Sequence, residues 1–143
     1  MIPVDQTIFA SDEPGAARGN CFQAAVASVL NLPLDEVPHF CDGARGWERR
    51  FDAWLAERGL GQVEVKLDAD AVYPVPGGMV CIVVGKTKRH ASRLHAVVAK
   101  TIPGGFMWDY LHDPHPDRTF LTAAHSVQFL VPLDVTEWMQ KPQ

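Results

Sequence analysis

Residues 19–30 read GNCFQAAVASVL, and this stretch decides how the rest of the sequence is interpreted. Its Ala-rich composition and the helical spacing of its apolar residues predict a buried helix over Cys21–Leu30. Asn20, just before it, is a favoured N-cap residue. Cys21 then lies in the first turn, where the positive end of the helix dipole favours the thiolate, the nucleophilic form of cysteine. The alternative interpretation is a small buried cysteine without a chemical role.

The periodicity changes from helical to strand-like about halfway along the chain. A short helical turn is predicted at 34–38, and an amphipathic pattern predicts a second helix within 46–59. Segments that alternate or are rich in β-branched residues follow, as is typical of strands: 63–67, 79–84, 95–100, 106–111 and 127–131. Residues 85–94 are predicted to be a polar loop, and 103–105 a hairpin turn. Helices followed by a mostly antiparallel sheet predict an α+β fold.

Size and composition are those of one globular domain, 1–143. Hydrophobic residues make up 47% of the chain and charged residues 21%. The net charge of −4 argues against general nucleic-acid binding, which needs clustered basic residues. The sequence shows no signal peptide and no apolar run long enough to span a bilayer, so we expect a cytoplasmic protein without a membrane partner. Three cysteines without an export signal argue against a disulfide framework.

Two further residues are candidates for a site around Cys21. His95 begins a predicted strand directly after the polar loop, which gives an imidazole both rigidity and access. Asp113 follows the next predicted strand. If the two strands form a hairpin, Asp113 reaches His95, where a carboxylate can fix the imidazole tautomer and stabilise its charged form. The alternatives are a structural histidine and an ordinary Asp-Pro turn.

This order of residues resembles the papain-like cysteine peptidase superfamily. The pattern is most similar to the transporter-associated peptidase domains that process bacteriocin leader peptides, in which a Gln precedes a Cys that opens a helix, a His begins a strand and an Asp-Pro ends the next. Here Gln6, Cys21, His95 and Asp113 match. The chain start and residues 112–116 also resemble short uncharacterised proteins of bacteria and their phages.

The resemblance implies a role for each matched residue. Cys21 would be the nucleophile, His95 the base, and Asp113 the residue that orients His95. Gln6 would donate its side-chain amide to the oxyanion, together with the backbone N–H of Cys21. Gln6 lies fifteen residues before Cys21, farther than in the family, so residues 11–18 are expected to loop out. Asn20 or Gln23 are alternative donors.

The expected activity is hydrolysis of an amide, isopeptide or γ-glutamyl-type bond in a peptide or small amide substrate, through a thioester on Cys21. The same residues would support acyl transfer or deamidation. From another class, the alternative is a catalytically inactive papain-like binding or inhibitor protein.

Lys88 and Arg89 in the polar loop, with Asn20, are predicted to contact the substrate, and the basic loop predicts a preference for acidic substrates. No cofactor is expected. A zinc site formed by His112, His115 and His125 is a weaker alternative.

Overall fold

The computed structural model describes residues 1–67, 75–104 and 107–142, and within them the chain forms an α+β fold, as predicted. A short 3-10 helix, Leu34–Glu36, lies between the first two α-helices. The α-helices are α1 (Cys21–Leu30), α2 (Trp47–Ala56) and α3 (Val135–Gln140). The strands are β1 (Leu60–Lys66), β2 (Val80–Thr87), β3 (His90–Ile102), β4 (Met107–His112) and β5 (Ala123–Pro132).

The described strands form one antiparallel sheet in the order β1-β5-β2-β3-β4. The β3–β4 pairing decides where the candidate site lies. Val98 pairs with His112 at the end of β4, so the chain leaves β4 beside the first half of β3. This register brings Asp113 to the part of the sheet that carries His95.

Helix α1 packs on one face of the sheet, and its composition explains how closely it does so. Phe22 and Val26 join Ile82, Ala96 and Val98 of the sheet in one buried cluster. The alanines of α1 let the helix backbone approach β3. The helix ends at Asn31, whose φ of 56° is left-handed, a conformation that asparagine tolerates better than most residues.

One strand position allows only glycine. A Cβ at Gly85 in β2 would lie 2.0 Å from the carbonyl oxygen of Ala123 in β5. The β2–β5 register shifts between Val84 and Gly85, so the two backbones crowd together there. Gly85 pairs with His95 on its other side, and the close approach therefore lies next to the candidate site.

The prediction of a polar loop over 85–94 was wrong. Strand β2 continues to Thr87, a turn occupies residues 88 and 89, and β3 begins at His90. Polar side chains do not prevent strand pairing in a hairpin arm, because the ladder hydrogen bonds come from the backbone. Helix α3 was not predicted. Of the predicted turn 103–105 and strand 106–111, residues 105 and 106 lie outside the described residues.

Candidate active site

Cys21 is the first residue of α1, as predicted, but Asn20 does not cap the helix. The Asn20 Oδ1 instead accepts the backbone N–H groups of Thr7, at 3.0 Å, and Ile8, at 2.8 Å. The Asn20 amide donates to the side chains of Thr7 and Gln23. Its backbone, at φ −104° and ψ 31°, lacks the extended conformation typical of an N-cap. Asn20 therefore fixes the segment that carries Gln6, and its side chain leaves the N–H groups of the first helical turn free.

His95 links the thiol to a carboxylate. Its Nε2 lies 2.6 Å from Asp113 Oδ1, and the Cys21 side chain is close enough to the ring to raise its pKa. Because Nε2 is engaged by Asp113, Nδ1 is the nitrogen left for the sulfur. Burial lowers the pKa of His95, but the hydrogen bond that the ring donates to Asp113 and its interaction with Cys21 outweigh this effect and raise the pKa to about 9. An imidazolium at neutral pH therefore lies beside the thiol.

The carboxylate of Asp113 is fully enclosed, and four donors surround it. Oδ1 accepts from His95 and from the His115 backbone N–H at 2.9 Å. Oδ2 accepts from the Phe120 backbone N–H at 2.7 Å and from Arg89 Nη1 at 3.4 Å. Burial raises the pKa of Asp113, but the hydrogen bonds from His95 and the two backbone N–H groups hold it well below its usual range. Asp113 is therefore a fixed negative charge behind His95.

The loop after β4 adopts an unusual backbone to supply these donors. Arg118 and Phe120 have left-handed φ angles of 53° and 58°, which cost free energy for residues other than glycine. The Arg118 guanidinium donates to both carboxylate oxygens of Asp5, at 2.7 and 2.9 Å, and also to the backbone carbonyl of Asp113. Arg118 thus ties this loop to the N-terminal segment.

Gln6 lies next to the same loop and lines the cleft beside Cys21. Its backbone N–H donates to the Pro114 carbonyl at 3.0 Å, and its side-chain Nε2 donates to the Ile8 carbonyl at 2.9 Å. Only 6% of the residue is exposed. Residues 11–18 contain neither helix nor strand, and Asp12 among them accepts hydrogen bonds from Ala91 and Ser92. Despite the fifteen-residue separation, Gln6 and Cys21 therefore line the same cleft.

An open cleft of about 980 Å³ adjoins these residues. Cys21, Phe22 and Trp47 line it on the helix side, and His95 lines it from β3. Strands β1 and β5 contribute a row of polar side chains: Gln62, Glu64, Lys66, Ser126 and Gln128. The volume is at the upper end of the range for small-molecule sites.

Lys88 and Arg89 do not line this cleft. Lys88 is exposed at the hairpin turn. The Arg89 side chain is 10% exposed and directed at Asp113, Asp117 and Thr119, with a distance of 2.6 Å from Nη1 to Asp117 Oδ1. Arg89 therefore lies behind the carboxylate, contrary to the expectation of a substrate contact. Of the basic residues at 86–93, Arg93 and His90 do line the cleft.

The histidines proposed for a zinc site have other partners or places. His112 Nε2 lies 2.9 Å from the Val4 carbonyl oxygen, and His115 accepts a hydrogen bond from the Asp117 backbone N–H. His125 lines the cleft. Across the ranges that the structure describes, no group of three or more His, Cys, Asp or Glu side chains is placed to hold a metal ion.

The other two cysteines differ from Cys21 in their surroundings. All three thiols are free. Burial raises the pKa of both the Cys41 and the Cys81 thiol to about 12. Cys41 also lines the cleft, but in the described part of the chain Cys21 is the thiol whose interaction with His95 raises the pKa of the imidazole. The chain thus contains one thiol beside an imidazolium and two held in the thiol form.

Comparison with known proteins does not assign the chain to a family. No family model, no curated protein and no solved structure matches the chain. None of the helices that the structure describes has the length and apolar composition needed to cross a membrane.

Sequence reasoning did not anticipate the contacts of Arg89 and Arg118 or the burial of Gln128. The two arginines act through contacts with distant residues, which no local pattern reveals. Gln128 carried no such signal either, because it alternates with Val127, Phe129 and Val131 and therefore has the pattern of a residue on the solvent face of a strand, whereas only 5% of it is exposed.

Proposed function

We propose that this protein is a papain-like cysteine hydrolase that cleaves an amide bond through a thioester on Cys21. The observation that carries the proposal is the continuous contact from the Cys21 thiol through His95 to the enclosed carboxylate of Asp113, at the edge of an open cleft. An α-helix that begins with the cysteine and packs on an antiparallel sheet is consistent with the papain-like architecture.

The first half of the reaction uses the charged pair. The Cys21 thiolate attacks the carbonyl carbon of the substrate, and the C–S bond forms as the carbonyl electrons move to oxygen. The His95 imidazolium then gives its proton to the leaving nitrogen, the C–N bond breaks and the amine departs. Asp113 remains ionised throughout and holds the ring in place.

The second half returns the enzyme to its starting state. Neutral His95 removes a proton from a water molecule, whose oxygen attacks the thioester carbon. The C–S bond breaks, the carboxylic acid product leaves, and the thiolate–imidazolium pair is restored. An amine in place of water gives acyl transfer, and a glutamine side chain as substrate gives deamidation, so these variants use the same residues.

The developing oxyanion requires donors. The backbone N–H of Cys21 and the side-chain amide of Gln6 are proposed for this role. The hydrogen bond from Gln6 Nε2 to Ile8 uses one of the two amide hydrogens, and the second remains for the substrate. A donor of this kind typically contributes about 10²–10³ to the rate.

Cysteine alkylation tests the proposal without knowledge of the substrate. The protein is treated with iodoacetamide near neutral pH, and the label on each cysteine is quantified over time by mass spectrometry. Cys21 should react at least about 10²-fold faster than Cys41 and Cys81, whose thiols stay protonated. His95→Ala should slow the labelling of Cys21 by about 10²-fold.

The matched control is His39→Ala, which removes an imidazole that bonds to the Arg18 carbonyl and does not line the cleft. In this variant, iodoacetamide should label Cys21 at the wild-type rate. Equally slow labelling of all three cysteines in the wild-type protein would overturn the proposal and favour a catalytically inactive binding protein of the same fold.

A further inference from the structure

Gln128 is a buried polar residue without a hydrogen-bond partner for its side chain. It lies in β5, opposite Glu64 of β1 on one side and Ile82 of β2 on the other, and it lines the cleft. The residue is 5% exposed. Within the described ranges its Oε1 is enclosed and unpaired, and no hydrogen bond joins its Nε2 to another group.

A buried amide oxygen without a partner is unusual, because burial removes the hydrogen bonds that water would provide. Gln62, which also lines the cleft, is different: its Nε2 donates to Asp52 Oδ1 at 2.8 Å, and only its Oε1 is unpaired. A group that can both donate and accept is therefore free at Gln128. Its amide can turn toward a ligand without breaking a hydrogen bond.

The cleft is lined by charges of both signs. Its lining includes Arg18, Lys66 and Arg93, and also Glu48 and Glu64. Lys66 and Glu64 form an ion pair of 2.8 Å, so these two charges compensate each other. Arg18 and Arg93 then remain against Glu48, and of the basic loop only Arg93 and His90 line the cleft, so the basis for expecting an acidic substrate is reduced to these two residues. A neutral group with one donor and one acceptor fits Gln128 best.

We propose that Gln128 is a specificity-determining residue that recognises an amide group of the substrate, donating one hydrogen bond to its oxygen and accepting one from its N–H. This inference rests on the proposed function, since it places the recognised amide in the cleft beside Cys21. The amide can belong to an Asn or Gln side chain or to a peptide bond next to the one cleaved. Both groups present a carbonyl oxygen and an N–H to Gln128.

Three reactive peptides distinguish recognition of a side-chain amide from recognition of a peptide bond. The first is acetyl-Gln-Gly-chloromethyl ketone, and the second has Met in place of Gln. The third is the Met peptide with an ester oxygen in place of the N–H of the Met–Gly bond. Each alkylates a thiolate, which displaces chloride from carbon, and the rate at Cys21 is divided by its rate with iodoacetamide.

In the wild-type protein, a preference of about 10-fold for Gln over Met assigns the side chain as the recognised group. A preference of about 10-fold for the amide over the ester assigns the backbone. Gln128→Met, which is nearly isosteric, should remove whichever preference is present. Gln128→Glu is the second variant, to be used if Gln128→Met is unstable. It keeps the length of the side chain but removes its hydrogen-bond donor, and it should also lose the preference.

The matched control is Gln140→Met, at an exposed position of α3, which should retain the preference in full. Equal rates for all three peptides in the wild-type protein, or a preference that survives both Gln128 substitutions in folded protein, would overturn the inference. Slow reaction of Cys21 with iodoacetamide itself would instead overturn the proposed function. The two failures are therefore distinguishable.

Discussion

The triad (Cys21, His95 and Asp113) and the cleft floor (Gln62 and Gln128) adjoin the same cleft but differ in how their polar atoms are satisfied. In the triad, the carboxylate of Asp113 accepts hydrogen bonds from four donors, and His95 contacts both other members. On the floor, both glutamine oxygens are enclosed without a partner in the part of the chain that the structure describes.

Under the proposed function, the difference reflects two tasks that place opposite demands on polar groups. Charges that act in a reaction need fixed positions, and their hydrogen bonds are best completed before the substrate arrives. Groups that select a substrate gain from being incomplete, because the ligand then supplies the missing hydrogen bonds. Under the proposed function, the triad would set the rate and the floor would set the preference.

The largest effect is expected from Asp113→Asn, which keeps the size of the side chain and removes its charge. Without the carboxylate the pKa of His95 should fall from about 9 toward its ordinary value, because a main cause of the increase is lost. Cys21 alkylation near neutral pH should slow by about 10²-fold. Histidine NMR titration and iodoacetamide kinetics measure the two changes.

The control for this experiment is Asp117→Asn. Asp117 also contacts Arg89, at 2.6 Å, but it is more exposed and does not contact His95. This variant should leave both the pKa of His95 and the alkylation rate of Cys21 close to wild type. An Asp113→Asn protein that remains folded and alkylates at the wild-type rate would show that the triad contributes nothing to thiol reactivity.

Helix α1 and the order of the triad residues could be predicted from the sequence. The bounds of α1 were predicted without error, because an Ala-rich segment with helical spacing ends at a clear break in 31–33. The approach of Asp113 to His95 followed from one hairpin, a local arrangement that the sequence pattern indicates. Local patterns therefore sufficed where the contacts are between neighbouring elements.

The surroundings of the triad could not be predicted, because they depend on contacts between distant parts of the chain. Asn20 has the composition of an N-cap, yet it bonds to a segment twelve residues away. Arg89 was predicted to contact the substrate from a polar loop, yet its side chain contacts Asp113, twenty-four residues away. Neither outcome is decided by local propensity, since both side chains can bond to several kinds of group and the tertiary fold decides which of them lie within reach.

A second, smaller effect is expected in the pH dependence of stability. The pKa of His95 is raised from 6.5 to about 9, so its charged pair with Asp113 stabilises the fold fully below about pH 6.5. This contribution is lost as the pH rises through about 9, and it amounts to at most about 3 kcal/mol. Urea unfolding from about pH 6 to pH 10 should show the decrease, and His95→Gln should flatten it. An equal decrease in both proteins would assign it to other groups.

The smallest effect on the triad is expected from Arg89→Met. This substitution tests whether the position of Asp113 depends on this arginine or on the backbone N–H donors. The contact of Arg89 with Asp113 is long, at 3.4 Å, whereas the backbone N–H groups of His115 and Phe120 lie at 2.9 and 2.7 Å. Cys21 alkylation should therefore change by less than about 3-fold. Burial and the charge of Arg89 lower the pKa of His115. This pKa should therefore rise in the variant, as NMR titration would detect.

A large loss of Cys21 reactivity with a normal melting temperature would instead make Arg89 a positioning residue of the triad. Arg89→Lys should then restore part of the rate through its charge.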